Sequence, residues 1–198
     1  LHFCSVSLVE SPMKETHKAV LKLAKKNHAI ISFDPNIRLP LWSSAEACQE
    51  TVREFLPYAD LVKLSDEECF FVTGKHSILD AADWLFEQGC KMVLYSMGKE
   101  GAMILTPHFS SHVENPEVRV KDTTGAGDAI IGAYLYCLAK NHITVSQLAD
   151  CLPEQVQEWL TFAVYYANYS ITKSGAIASY PDYTTFVKWM QEKRKKAH

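Results

Sequence analysis

The segment Gly125-Ala126-Gly127-Asp128 combines residue types that suit the binding of a phosphate group. Its glycines let the backbone turn tightly, so that successive N–H groups can point into one cavity. The apolar run at 129–135 predicts a helix, and the dipole at a helix N-terminus favours a bound anion. The spacing therefore predicts a phosphate-binding turn at the start of a helix.

Asp128 is predicted to lie in the first turn of that helix, where the dipole favours its charged form. Its carboxylate could accept a proton from a hydroxyl group whose oxygen attacks phosphorus, a reaction that otherwise needs mainly positioning and charge stabilisation. A glycine-rich turn that is merely capped by an aspartate fits the same spacing. Other phosphate motifs do not match, because the sequence has no G-x-x-x-x-G-K-[ST] and its glycines at 125, 127 and 132 do not fit G-x-G-x-x-G.

The elements around this turn predict an α/β fold, with a mostly parallel sheet covered by helices on both faces. Short apolar runs predict strands at 1–7, 29–33, 61–64, 92–95, 102–105 and 118–121. Amphipathic stretches predict helices at 12–27, 44–56, 66–73, 78–88, 126–140, 153–172 and 183–195. In such a sheet a ligand binds beyond the carboxyl ends of the strands, so the residues that follow the strands are the candidates for chemistry.

Local signals mark several of the helix starts. Pro12 and Pro153 suit a first helical position. Two pairs match the capping box, Ser43 with Glu46 and Ser65 with Glu68. The segment 98–101 separates two apolar runs, as a turn between neighbouring strands does.

The composition is that of an ordinary globular chain, with 198 residues, 47% of them hydrophobic, and a formal net charge of −3. No basic patch dominates, which disfavours a nucleic-acid partner, and no apolar stretch is long enough to span a membrane. The six cysteines form no C-x-x-C pair and suit reduced thiols, so we predict a cytoplasmic protein. The sequence starts within a predicted strand and without a methionine, so we expect an N-terminal part to be absent.

A family resemblance rests on the segments 33–42 (FDPNIRLPLW), 61–68 (LVKLSDEE), 95–102 (YSMGKEGA), 122–128 (DTTGAGD) and 172–176 (TKSGA). Together they resemble the ribokinase-like (PfkB) carbohydrate kinases, and the segment 33–42 is most similar to bacterial fructokinases. The resemblance implies a three-layer αβα ribokinase-like fold without its N-terminal region and β-lid. Residues 1–198 would then be the C-terminal catalytic and nucleotide-binding part of a single domain. It also implies ATP, Mg²⁺ and K⁺ as cofactors, a sugar as substrate, and a homodimer of the full-length protein through the missing lid.

The same resemblance implies a role for each matching residue. Asp128 would be the catalytic base, and Gly125, Ala126 and Gly127 would form the anion hole. Glu68 would help to organise Mg²⁺ through water. Ser96, Gly98, Gly101 and Asn168 would bind the nucleotide. Asn36, Arg38 and Asp128 would bind the sugar. Asp122 and Thr124 would contribute to a K⁺ site, together with backbone carbonyls near Ser170 and Lys173 and with Gly175 and Ser179.

Simpler explanations fit some of these residues as well. Glu68 also fits a capping partner of Ser65, which stands where the family usually has asparagine. The segment 96–101 also fits a plain hairpin turn, and Asn168 a surface position on a helix. Asp34 and Arg38 also fit a pair that only shapes a loop.

The predicted function is the ATP-dependent phosphorylation of D-fructose to fructose 6-phosphate. One alternative is another sugar kinase of the family, for a 2-keto-3-deoxygluconate or an aminoimidazole riboside substrate. A second is a catalytically silent, kinase-like nucleotide-binding protein, which the presence of Asp128 disfavours. The glycine spacing disfavours a Rossmann dehydrogenase.

Overall fold

The computed structural model describes residues 1–196, and its centre is a six-stranded sheet whose strands lie side by side in chain order. The strands are β1 His2–Cys4, β2 Ser32–Asp34, β3 Leu61–Ser65, β4 Met92–Ser96, β5 Ala102–Leu105 and β6 Ser110–Val113. The first four strands are parallel, whereas β4 with β5 and β5 with β6 are antiparallel. This mostly parallel sheet confirms the predicted fold class.

Helices cover both faces of the sheet. They are α1 Pro12–Lys26, α2 Ala45–Phe55, α3 Asp66–Thr73, α4 Ile78–Glu87, α5 Ala126–Lys140, α6 Pro153–Ser170 and α7 Tyr183–Lys196. Side chains alternate across β4, because successive residues of a strand point to opposite faces. Met92 and Leu94 pack with residues of α5 and α6, whereas Val93 packs with residues of α1 to α4. The result is the predicted three-layer αβα arrangement.

Most of the predicted helix starts are confirmed. Pro12 and Pro153 occupy the first positions of α1 and α6, and Ser65 with Glu68 forms a complete capping box at α3. The prediction for Ser43 is wrong. Ser44 caps α2, because its side chain accepts a hydrogen bond of 3.1 Å from the N–H of Ala47, three residues further along the chain.

Three strand predictions are corrected by the structure, and one of them is 29–33, because β2 begins only at Ser32. The segment 118–121 is not a strand; instead the N–H of Lys121 donates to the carbonyl of Ile171, just beyond the end of α6. The first strand is shorter than predicted, because a 3-10 turn, Ser5–Leu8, follows Cys4. The strand β6 was missed. Its Ser110 and Ser111 lie on an edge strand, where an apolar pattern is not required.

Within the described part of the chain, no helix has the length and apolar character needed to cross a membrane. The cysteines Cys4, Cys48, Cys69, Cys90, Cys137 and Cys151 are all unpaired.

Candidate active site

A cavity of about 600 Å³ opens where β2 and β3 end and α5 begins. The end of β2 contributes Asp34 and, just beyond it, Asn36 and Arg38, while β3 and the start of α3 contribute Lys63 and Glu68. Its opposite wall is the segment 123–128. The structure thus brings the predicted base and anion hole together with the predicted sugar residues and Glu68, at the edge of the sheet where parallel strands place their ligands.

The glycine turn is shaped to start a helix with open N–H groups. Gly125 is the residue before α5 and has a φ of +78°, a left-handed conformation that glycine adopts without strain. The N–H of Ala126 donates to the carbonyl of Thr123. The N–H groups of Gly127 and Asp128 have no acceptor within residues 1–196, as is usual in a first helical turn. These two donors, next to the exposed carboxylate of Asp128, are what the turn offers to an anion.

Asp122 fixes the approach to this turn. Its Oδ1 accepts a hydrogen bond of 2.9 Å from the N–H of Thr124, and its Oδ2 accepts one of 2.8 Å from the N–H of Gly175. These bonds, that from Gly175 foremost, lower the pKa of Asp122 to about 2. The predicted partners Asp122, Thr124 and Gly175 are therefore neighbours, and the carboxylate between them is charged over the physiological range.

Glu68 is held in place by hydrogen bonds from two elements. Its Oε2 accepts from the N–H and the hydroxyl of Ser65, and its Oε1 accepts from the N–H of Ile37 at 2.9 Å. The carboxylate is buried and joins the loop after β2 to the start of α3. The capping role is confirmed, and the same contacts orient Glu68 at the wall of the cavity.

Asp34 does not pair with Arg38, so that simpler explanation of the loop is wrong. Both of its carboxylate oxygens lie 3.2 Å from Nζ of Lys63, while the guanidinium of Arg38 donates to the carbonyl of Ile37. Arg38 is exposed, which leaves it free to reach a ligand in the cavity. Asn36 has a φ of +43°, and its N–H donates to Asp34 at 3.1 Å, so the polar end of β2 is a tight turn.

The predicted nucleotide residues lie outside this cavity. Asn168 is 5% exposed, not a surface residue, and its amide donates to Oδ1 of Asn115 at 2.8 Å. Asn115 in turn donates to the carbonyl of Gly98 at 2.8 Å. A Cβ on Gly101 would lie 2.0 Å from the carbonyl oxygen of Val113, so this glycine is required by the pairing of β5 with β6. Ser96 donates weakly to Leu64, at 3.4 Å.

The carboxylates that line the cavity suit a hard cation such as Mg²⁺ only if phosphate supplies some of its ligands. Within residues 1–196, no group of three or more His, Cys, Asp or Glu side chains could hold a metal ion. Mg²⁺ in nucleotide sites commonly has one or two protein carboxylates and takes its other ligands from phosphate and water. Glu67 and Glu68 line the cavity and could serve in that way.

Sequence reasoning missed Lys63, Asn115 and Tyr180, each of which positions part of the site. Lys63 had left a signal, because a lysine inside the apolar run of β3 must be buried and needs a partner charge. Asn115 and Tyr180 left none, since their partners lie 53 and 55 residues away in the chain.

The comparison with protein families agrees with this architecture. The family described as pfkB family carbohydrate kinase matches residues 1–183, and the chain therefore belongs to the pfkB family of carbohydrate kinases. Fructokinase-2 of Solanum habrochaites is 34% identical over 181 residues, which are 91% of this chain and 54% of that protein. Fructokinase-2 of Solanum lycopersicum is also 34% identical over 181 residues, again 91% of this chain and 54% of that protein. The chain thus spans little more than half the length of these curated relatives.

Solved structures show the same fold. The fructokinase of Vibrio cholerae O395, with fructose, ADP and calcium bound, matches with a TM-score of 0.84 at 30% identity, over 96% of this chain and 60% of that one. The fructokinase of Xylella fastidiosa, with ATP bound, has a TM-score of 0.86 at 27% identity, over 96% of this chain and 61% of that one. An aminoimidazole riboside kinase from Salmonella enterica, bound to aminoimidazole riboside and an ATP analog, matches with a TM-score of 0.81 at 25% identity, over 96% of this chain and 61% of that one.

Proposed function

We propose that the protein to which this chain belongs transfers a phosphoryl group from ATP to a sugar hydroxyl, with D-fructose as the sugar and fructose 6-phosphate as the product. The observation that carries the proposal is a single cavity lined by Asp128, the glycine turn, Asn36 and Arg38. A base, an anion-binding helix start and polar groups suited to a sugar then face one space, as phosphoryl transfer requires.

In the proposed mechanism, Asp128 accepts the proton of the sugar hydroxyl as its oxygen attacks phosphorus. The N–H groups of Gly127 and Asp128 stabilise the charge on the transferred group, in a turn that is already in place before reaction. Asn36 and Arg38 orient the sugar, since a guanidinium suits contact with several oxygens at once. A divalent cation such as Mg²⁺, organised by Glu68 through water, would neutralise charge on the phosphates of ATP.

We place the nucleotide against Ser96, Gly98 and Gly101, with Asn168 acting through Asn115 rather than by direct contact. The relay of hydrogen bonds from Asn168 to Asn115 to Gly98 supports this placement, because it holds the turn after β4 against α6. The carboxylate of Asp122 beside Thr124 supports a K⁺ site next to the turn.

Fructose is favoured over other sugars by the names of the relatives, which are fructokinases from plants and bacteria. The second candidate is an aminoimidazole riboside, since a kinase with that ligand bound shares the fold at 25% identity. Contacts outside this chain would decide between them. We further propose a homodimer of the longer protein and a cytoplasmic location, the latter supported by the unpaired cysteines.

The test is a coupled assay of ADP release by the complete protein with Mg·ATP and a panel of sugars. We expect fructose to give the highest kcat/KM, and the ADP released to match the fructose 6-phosphate formed. A preference for aminoimidazole riboside would replace fructose with the second candidate. Nucleotide binding without ADP release on any sugar would establish the silent alternative and overturn the proposal.

A further inference from the structure

Lys63 is a buried cation that the proposed mechanism does not use. It lies in the middle of β3, and its side chain is 8% exposed. Its Nζ lies 3.2 Å from both oxygens of Asp34 and 3.8 Å from Oε2 of Glu68. Burial of a charge is costly unless the charge is paired, so these two carboxylates account for its presence in the core.

The same ammonium group also faces the glycine turn. A Cβ built on Gly127 would lie 3.3 Å from Nζ of Lys63. The ammonium group therefore lies directly beside the space that a side chain at position 127 would occupy. Both residues line the cavity. An ammonium group has three N–H bonds, and within residues 1–196 Asp34 is its only partner at hydrogen-bond distance. Asp34 thus leaves at least one N–H of the ammonium for a ligand in the cavity that Lys63 and Gly127 both line.

We propose that Lys63 is the cationic member of the anion site, and that its ammonium contacts the phosphoryl group held by the N–H groups of Gly127 and Asp128. The inference rests on the proposed function, because it gives that function's anion site a further ligand. A buried charge interacts with an anion more strongly than an exposed one, which salt and water screen. Arg38 is exposed, so Lys63 is the better placed of the two cations in the cavity to hold an anion at the turn.

The competing explanation is that Lys63 only neutralises Asp34 and Glu68. Lys63→Met alone cannot separate the two, because it would leave buried carboxylates unpaired and destabilise the fold. The pair Asp34→Asn and Asp34→Asn/Lys63→Met can. Both variants lack the Asp34 charge, and they differ only in whether the ammonium is present.

The experiment titrates inorganic phosphate into the 198-residue chain and follows the backbone amide signals of Gly125 and Gly127. Asp34→Asn should bind phosphate at least as tightly as the unaltered chain, because a competing carboxylate is gone. The double variant should bind at least about tenfold more weakly than Asp34→Asn, the scale of one lost hydrogen bond to a charged group. Lys91→Met, which removes a half-buried lysine outside the cavity, should leave binding unchanged.

Two results would overturn the inference. One is a folded double variant, judged by the rest of its amide spectrum, that binds phosphate as well as Asp34→Asn does. The other is an unaltered chain in which phosphate does not shift the amides of the turn. The titration needs neither a sugar nor turnover, so it can fail while the ADP-release assay of the complete protein succeeds, and the reverse also holds.

Discussion

The phenolic hydroxyl of Tyr180 donates a hydrogen bond of 3.0 Å to the backbone carbonyl of Gly125, across 55 residues of sequence. There is no room for a side chain at position 125, since a Cβ on Gly125 would lie 2.8 Å from the Tyr180 oxygen and 2.9 Å from Cβ of Ala176. The glycine turn is therefore seated against the segment that precedes α7. Its position depends on that segment as much as on its own sequence.

Tyr180→Phe should reduce the free energy of unfolding by about 1 kcal/mol, the usual net value of one hydrogen bond. The loss stays modest because the carbonyl of Gly125 also accepts from the N–H of Ala129. Urea denaturation measures it, with Tyr183→Phe as the matched control, which removes a hydroxyl that accepts a hydrogen bond of 3.3 Å from Lys140. Only Tyr180→Phe should also shift the amide signals of the glycine turn; equal shifts in the two variants would contradict this role for Tyr180.

Gly125→Ala should destabilise the fold by at least about 2 kcal/mol. A positive φ costs a residue with a side chain about 1–2 kcal/mol, and the overlap with Tyr180 adds to it. Gly132→Ala, inside α5 with open space around its Cβ position, should instead stabilise by about 0.5–1 kcal/mol. Urea denaturation of both variants measures the contrast, and a stabilised Gly125→Ala would show that the turn is not seated as described.

Asp128→Asn in the complete protein should lower kcat by at least about a hundredfold, because the amide cannot accept the proton of the attacking hydroxyl. The KM for ATP should change little, since the proposed mechanism has the carboxylate of Asp128 contact the sugar and not the nucleotide. Asp83→Asn, which alters an exposed carboxylate of α4 outside the cavity, is the control and should keep full activity. Full activity of Asp128→Asn would refute the proposed mechanism.

Asp34 should make the fold less stable as pH rises from about 4 to 6. Burial raises the pKa of Asp34 to about 6, and Lys63 opposes this without cancelling it. In that pH range the folded chain keeps a proton that the unfolded chain has lost, so its stability falls until Asp34 is ionised in both states. The free energy of unfolding of Asp34→Asn, minus that of the unaltered chain, should therefore grow by up to about 3 kcal/mol between pH 4 and 7. Urea denaturation at several pH values measures this difference, and a constant difference would contradict the raised pKa.

Features encoded by neighbouring residues could be predicted from the sequence. The start of α5 at the glycine turn and the capping box of Ser65 and Glu68 depend on residues at most three positions apart, and both were found. The apolar run around Lys63 indicates that this lysine needs a partner charge, but no local pattern identifies Asp34, 29 positions away, as that partner. The strand β6 was missed for a related reason. Its serines and histidine are held by pairing with β5 rather than by an apolar pattern of their own.

The hydrogen bonds that seat the glycine turn, from Gly175 to Asp122 and from Tyr180 to Gly125, span 53 and 55 residues. Such distant contacts form late in folding, because the loop between them must close first. On a ribosome, the strands and first helices would be able to assemble while the turn still lacked its anchors. A chain interrupted before Gly175 would then contain both glycines and Asp128 without the residues that hold them, so the glycine turn is among the last parts of this fold to be completed.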